Sequence, residues 1–270
     1  MLDNLSQTQR LQVSVVPRNS LRPRLFVLAE LNLLLFLPGG AGAAMINDIN
    51  RSARHALTRA NRLYAEGAYD EALTIFQELV RGPGEEKLLA NVGYALQGLG
   101  RHEEATRSFE RYLEVFMARH HAWKALCFSY YHLQDYENMT RCAREAIRWD
   151  IRHDTPDDYS WQQMATAHFL MSDYSTAIKA ARKASALNEL NPYSRYYEAC
   201  AIAAIVEGAA LDEPGLLSDP PTYQDALELL CAALDAKPEV EGELRAEGYL
   251  DQVFELLDAR RAIDSQATAA

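Results

Sequence analysis

The side chains of this 270-residue chain best suited to nucleophilic or metal chemistry are four cysteines and seven histidines. A helical metal site needs two ligands on one face, which an i, i+4 pair supplies. His55, His102, His120, His121, His132, His153 and His168 contain no such pair. His120 and His121 are adjacent, so on a helix they point about 100° apart. Cys127, Cys142, Cys200 and Cys231 lack Cys-x-x-Cys spacing and are too few for a disulfide scaffold. No Gly-rich phosphate loop, Gly-x-Ser-x-Gly elbow or Cys/His nucleophile arrangement can be read. The 38 acidic residues would furnish a carboxylate pair anywhere, and abundance alone is no acid–base signal. The expectation is a non-catalytic chain with no metal and no cofactor.

Charge narrows the partners. Lys and Arg total 27 against 38 Asp and Glu, a net −11. Such a surface repels phosphate, so nucleic acid and anionic membranes are not expected partners. The acidity is uneven. Residues 211–270 hold 14 acidic and 4 basic side chains, net −10, whereas 45–155 hold 16 and 15. The nearly neutral stretch leaves room for a partner of mixed or mildly acidic character. Hydrophobic residues make up 49% of the chain, with only 13 Gly and 10 Pro, a composition that folds. Leu-, Ala-, Glu- and Arg-rich stretches without period-2 alternation after residue 45 read as helix.

The elements that would position any site come from an internal repeat. Tyr69, Ala72 and Phe76 set a pattern of aromatic, small, aromatic. It returns as His102, Ala105, Phe109; as Tyr136, Met139, Ala143; as Tyr174, Ala177, Ala181; and as Tyr223, Ala226, Leu230. The middle residues lie 33, 34, 38 and 49 positions apart. Twelve before the first four sit Ala60, Gly93, Cys127 and Ala165, preceded in units two to four by Leu89, Trp123 and Trp161. Two helices per unit satisfy this order, with small residues at their closest approach and large ones filling the gaps between pairs. Gly67, Gly100, Gln134-Asp135 and Ser172-Asp173 mark the turns. Helices are expected at 47–66, 69–81, 86–99, 102–117, 120–133, 136–149, 158–171, 174–188, 193–209 and 222–236.

In this spacing and order the chain resembles the tetratricopeptide repeat family over about residues 50–238. The resemblance implies an all-α solenoid of about five helix-turn-helix repeats that acts as a protein-interaction scaffold. It also implies a concave groove lined by the second, fifth, ninth and twelfth positions of each unit's first helix. By register these are Arg54, Leu57, Asn61 and Tyr64; Lys87, Ala90, Tyr94 and Gln97; His121, Lys124, Phe128 and Tyr131; and Tyr159, Gln162, Thr166 and Phe169. Six of the sixteen are Tyr or Phe, and helix pairing does not require them. Aromatics in a concavity suit an extended peptide or a partner helix. Chaperone-tail-binding members of the family hold a C-terminal carboxylate with Lys, Arg and Asn. Here Asn61 and Asn91 match, but Leu57, His121 and Ala125 stand where cations are needed, so that specificity is not expected. Self-association through the groove or the edge of the first unit is compatible with the same residues.

The expected organisation is an N-terminal extension at 1–44, the repeat array at 45–238, a capping helix at 239–262 and a disordered tail at 263–270. A terminal repeat needs a polar-faced end element. Leu244, Tyr249, Val253, Phe254 and Leu257 form its apolar stripe, with Glu243, Glu247, Asp251 and Glu255 outside. Between Ala209 and Pro221 an inserted loop is expected, with Leu216 and Leu217 packing back on the array. In the extension, Arg22 and Arg24 precede an apolar run at 25–37, too short for the ~20 residues of a spanning helix. The run, Pro38 and the small-residue triplet at 41–43 read as a secretory signal, or else as sequence preceding a true start at Met45, or as a packed structural extension. A start at Met45 implies a cytoplasmic protein; a cleaved 1–43 implies an exported assembly or envelope factor.

Overall fold

A computed structural model describes residues 41–82, 86–116, 120–208, 216–217 and 220–269. The chain divides into two compact units, Met1–Met117 and Ala118–Ala270. Among the described residues the only regular elements are helices.

Unit 1 holds α1 (Ala41–Ala65), α2 (Tyr69–Val80), α3 (Leu89–Gly98) and α4 (His102–Val115). One 3-10 turn, Glu86–Leu88, leads into α3. Pairs α1/α2 and α3/α4 pack internally, and α2 packs on α3. Unit 2 holds α5 (His120–His132), α6 (Tyr136–His153), α7 (Asp158–Leu170), α8 (Tyr174–Leu187), α9 (Pro192–Val206) and α10 (Tyr223–Ala236). After a 3-10 turn at Pro238–Val240 come α11 (Glu241–Glu247) and α12 (Asp251–Ala269). Neighbours again pack in chain order, with α7 also against α9 and α10 against α12.

The repeat positions do the expected packing. Ala60, Ala72, Ala105, Cys127, Met139, Ala165 and Ala177 are all at most 1% exposed. In the first two units the residue four after the middle one is a buried phenylalanine, Phe76 or Phe109, and the Phe109 ring lies against Gly93. In the third unit Ala143 stands there, and Met139 and Cys127 are both buried, the Cys127 thiol donating to the Met139 carbonyl at 3.5 Å.

The turns share one backbone solution. Gly67, Gly100, Gln134 and Ser172, each seven residues after the small one, all have positive φ, at 82°, 70°, 58° and 63°. In each, the next amide reaches back to the carbonyl of Leu63, Leu96, Tyr130 or His168 at 2.8–3.0 Å, closing a Schellman cap. Asp135 and Asp173 then cap α6 and α8 by accepting from Asn138 and Thr176.

The C-terminal end differs from the expected single helix and tail. Gly248, at φ 74°, ends α11, and α12 restarts at Asp251 and continues through 263–269 as helix. Leu244, Leu250, Val253, Phe254 and Leu257 are buried. Tyr249 stays 43% exposed, and Glu247 turns inward instead of outward. Leu216 and Leu217 are half-buried, and the Leu216 carbonyl accepts from Arg182 at 3.4 Å. The rest of the expected loop, at 209–215 and 218–219, and residues 1–40 of the extension lie outside the described residues; Ala41–Ala44 open α1.

Candidate functional site

In unit 1 α1, α3 and the 3-10 turn before α3 carry the expected residues. Arg54 is exposed, and Asn61, Lys87, Tyr94 and Gln97 are half-buried. Tyr64, half-buried, stands edge-on to Tyr69 with centroids 5.2 Å apart, and burial followed by the neighbouring Tyr69 pushes its phenol up to about 12. The Tyr69 ring in turn covers Gly98: an added Cβ there would lie 2.6 Å from it. Tyr64 on α1 is thereby tied to the end of α3 beside Gln97. Tyr94 packs edge-on against the buried Phe109, 5.1 Å between centroids. These rings are not free of the helix pairing, contrary to expectation: each has one side in the core. Arg54, Asn61 and Lys87 supply the polar part of the surface.

Unit 2 departs further. Lys124 is 7% exposed and ion-paired to Asp157 at the start of α7, with Asp150 of α6 at 4.0 Å. Ser160 donates to Asp150 at 3.3 Å. Burial raises the Asp150 carboxyl although Lys124 pulls it down. Lys124 is thus a structural cation; a buried charge of this kind survives only when paired. Phe169 is 8% exposed, among Tyr174, Tyr197 and Tyr249 at 5.9, 5.8 and 5.1 Å. It is core, not a groove wall. Gln162 accepts from Asn191, which caps α9 and also binds Asp158 at 2.6 Å. Phe128 meets His132 edge-on at 4.5 Å, and Tyr159 is half-buried. Tyr131 is hydrogen-bonded to Tyr197, and burial followed by Glu247 pushes its phenol up to about 12.

What fills this side of unit 2 is the chain itself. Tyr193, Tyr196 and Tyr197 lie on one face of α9 by their i, i+3, i+4 spacing, and α11 docks on that face. Tyr193 donates to Glu243 at 3.0 Å, Tyr196 to the Leu244 carbonyl at 3.2 Å and Tyr197 to Glu247 at 3.2 Å. Burial raises the Glu247 carboxyl, partly offset by the tyrosine donors. Thr166, a groove position by register, also bonds Tyr197. The tyrosine spacing was readable in the sequence; its partner fifty residues on was not.

All four cysteines are free thiols. Among the described residues no group of three His, Cys, Asp or Glu is placed to hold a metal, and no helix is long and apolar enough to cross a membrane.

No family model matches the chain, and no curated protein matches it by sequence. Solved structures do match. The "41-end" form of MamA from Desulfovibrio magneticus RS-1 is 15% identical with a TM-score of 0.57, covering 70% of this chain and 97% of its own. A MamA RS-1 double mutant gives 15% and 0.58, with 70% and 97% covered. TTC0263, described as a thermophilic TPR protein in Thermus thermophilus, gives 19% and 0.52, with 75% and 99% covered. At such identities the likeness shows the fold: this chain has the tetratricopeptide-repeat fold, an all-α solenoid of helix pairs.

Proposed function

We propose that the chain is a non-catalytic protein-interaction scaffold that takes an extended peptide or partner helix, of mildly acidic character, on the first helices of the unit 1 repeats. The observation that carries this reading is the division of labour on α1, on α3 and on the 3-10 turn that leads into α3. Ala60, Leu89, Val92, Gly93 and Leu96 do the helix pairing. Exposed Arg54 and half-buried Asn61 and Lys87 bring cations and an amide to the register positions that line the groove in the repeat family, beside the half-buried Tyr64 and Tyr94. In unit 2 the groove positions Lys124, Gln162, Thr166 and Phe169 are held by an ion pair, hydrogen bonds or the core, and α11 docks beside them, which favours unit 1 as the partner surface. The tetratricopeptide fold of the matched structures supports the scaffold class.

The test is affinity capture with the full chain beside the double variant Arg54→Glu, Lys87→Glu. Both side chains lie outside the buried core, so melting should move by no more than about 2 °C. Loss of the captured partners supports the reading; an unchanged set, at unchanged melting, rejects it.

A further inference from the structure

Unit 2 contains a cavity whose lining includes a single one of the groove positions read from the register, Phe169. Its volume is about 520 Å³, within the range of small-ligand and side-chain pockets, and it opens to solvent. Phe169 is its buried floor. Tyr174 and Tyr249 stand beside that floor at 5.9 and 5.1 Å, and Tyr223 and the exposed carboxylates Glu207 and Asp251 are also among the lining residues. Tyr223 donates to Glu207 at 3.3 Å, which holds that carboxylate at the edge of the aromatic wall.

Aromatic faces with carboxylates at their edge attract cations, through the ring quadrupole and by direct charge. Helix ends add to this. α7 and α9 finish at the cavity, and their C-terminal carbonyls carry partial negative charge. The N-termini of α8, α10 and α12 also border it and would favour anions, but each carries its own carboxylate: Asp173, Asp225 and Asp251. The arginines of the neighbouring C-terminal segment are engaged elsewhere. Arg245 pairs with Glu241 and Asp258 and covers Phe254, and Arg261 pairs with Glu241. Among the described residues no ion pair reaches Glu207 or Asp251. The surrounding sequence, net −10 over residues 211–270, would draw a cation toward the site over a longer range.

We propose that this cavity is a docking site for a basic side chain, arginine or lysine, presented by a protein partner. The site is separate from the unit 1 surface and has the opposite charge preference. It exists only while 248–253 lies against α7 and α9, so an occupant stabilises the docked C-terminal segment by mass action.

The probe is a fluorescein-labelled peptide of alternating Arg and Ala, titrated with the full chain by anisotropy, with its Gln-for-Arg counterpart as reference. Saturable binding of the Arg peptide alone is expected. Tyr249→Leu, which keeps apolar bulk but removes the ring face, and Glu207→Gln should each raise Kd by about fivefold. Tyr249→Phe should bind as the parent does, and so should Glu255→Gln, which removes an exposed charge from α12. Several results overturn the proposal: no saturable binding, Tyr249→Leu binding as the parent does, Tyr249→Phe failing to bind, or Glu255→Gln weakening binding as much as Glu207→Gln. The last would mark diffuse attraction to an acidic surface. Melting of each variant separates loss of the site from loss of the fold.

Discussion

Gly93 has no room for a methyl group. A Cβ built there would lie 2.7 Å from the Phe109 ring, which is itself fully buried. Gly93→Ala should therefore destabilise the protein by about 1–3 kcal/mol through overpacking. In that background Phe109→Leu, which shortens the obstructing group, should cost much less than it does alone. Urea unfolding of the two single variants and the double one measures the coupling. This part of the core was legible in the sequence because small and large residues alternate at fixed offsets. Lys124 was not. Its register position pointed to a groove, but Asp150 and Asp157 lie 26 and 33 residues further on and capture it. Sequence spacing reports which face a side chain leaves from; it does not report which distant carboxylate meets it.

At the scale of the element, the turns between paired helices repeat one left-handed residue with uneven chemistry. Glycine fills it in unit 1, but glutamine and serine fill it in unit 2, at φ 58° and 63°. A side chain there carries a steric penalty of about 1 kcal/mol that glycine avoids. Glycine also loses more backbone entropy on folding, so only part of the penalty is recovered. Gln134→Gly and Ser172→Gly are each expected to stabilise by about 0.5 kcal/mol, read as a higher urea midpoint. Both side chains lie at the surface turn, which keeps packing out of the comparison. The helix pairs and their turns agree with the sequence reading to within four residues, save that α1 starts six residues earlier than expected, since both follow from local signals. The break at Gly248 and the inward turn of Glu247 were missed because the apolar stripe at 244–257 reads equally well as one helix.

At the scale of the whole molecule, the repeats bring residues close in sequence together, while the C-terminal segment is held by partners about fifty residues away. Its carboxylate Glu247 makes this closure sensitive to pH. Burial raises the group above its unfolded value, so the folded state holds the proton more tightly. The stabilising contribution is fully present below the unfolded carboxylate value and is lost as pH rises through the folded one. Glu247→Gln, whose amide oxygen still accepts from Tyr197, should melt about 2–4 °C higher than the parent near pH 7. The two should converge near about pH 4, which melting followed by circular dichroism at both pH values would show. Net charge follows the same division: the near-neutral repeats of 45–155 carry the proposed surface for a mildly acidic partner, and the acidic last sixty residues carry the cavity for a basic one.

The three tyrosine bonds from α9 to residues 243–247 also bear on the order in which the chain comes apart. An array of repeats usually frays from its free end, one helix at a time. Here the last segment loops over α10 and fastens to α9, so it cannot leave without uncovering Tyr196 and Tyr197, both under 5% exposed. The fifth repeat and its end piece should accordingly open as one cooperative block, formed late in folding because its contacts wait on the longest loops in the unit.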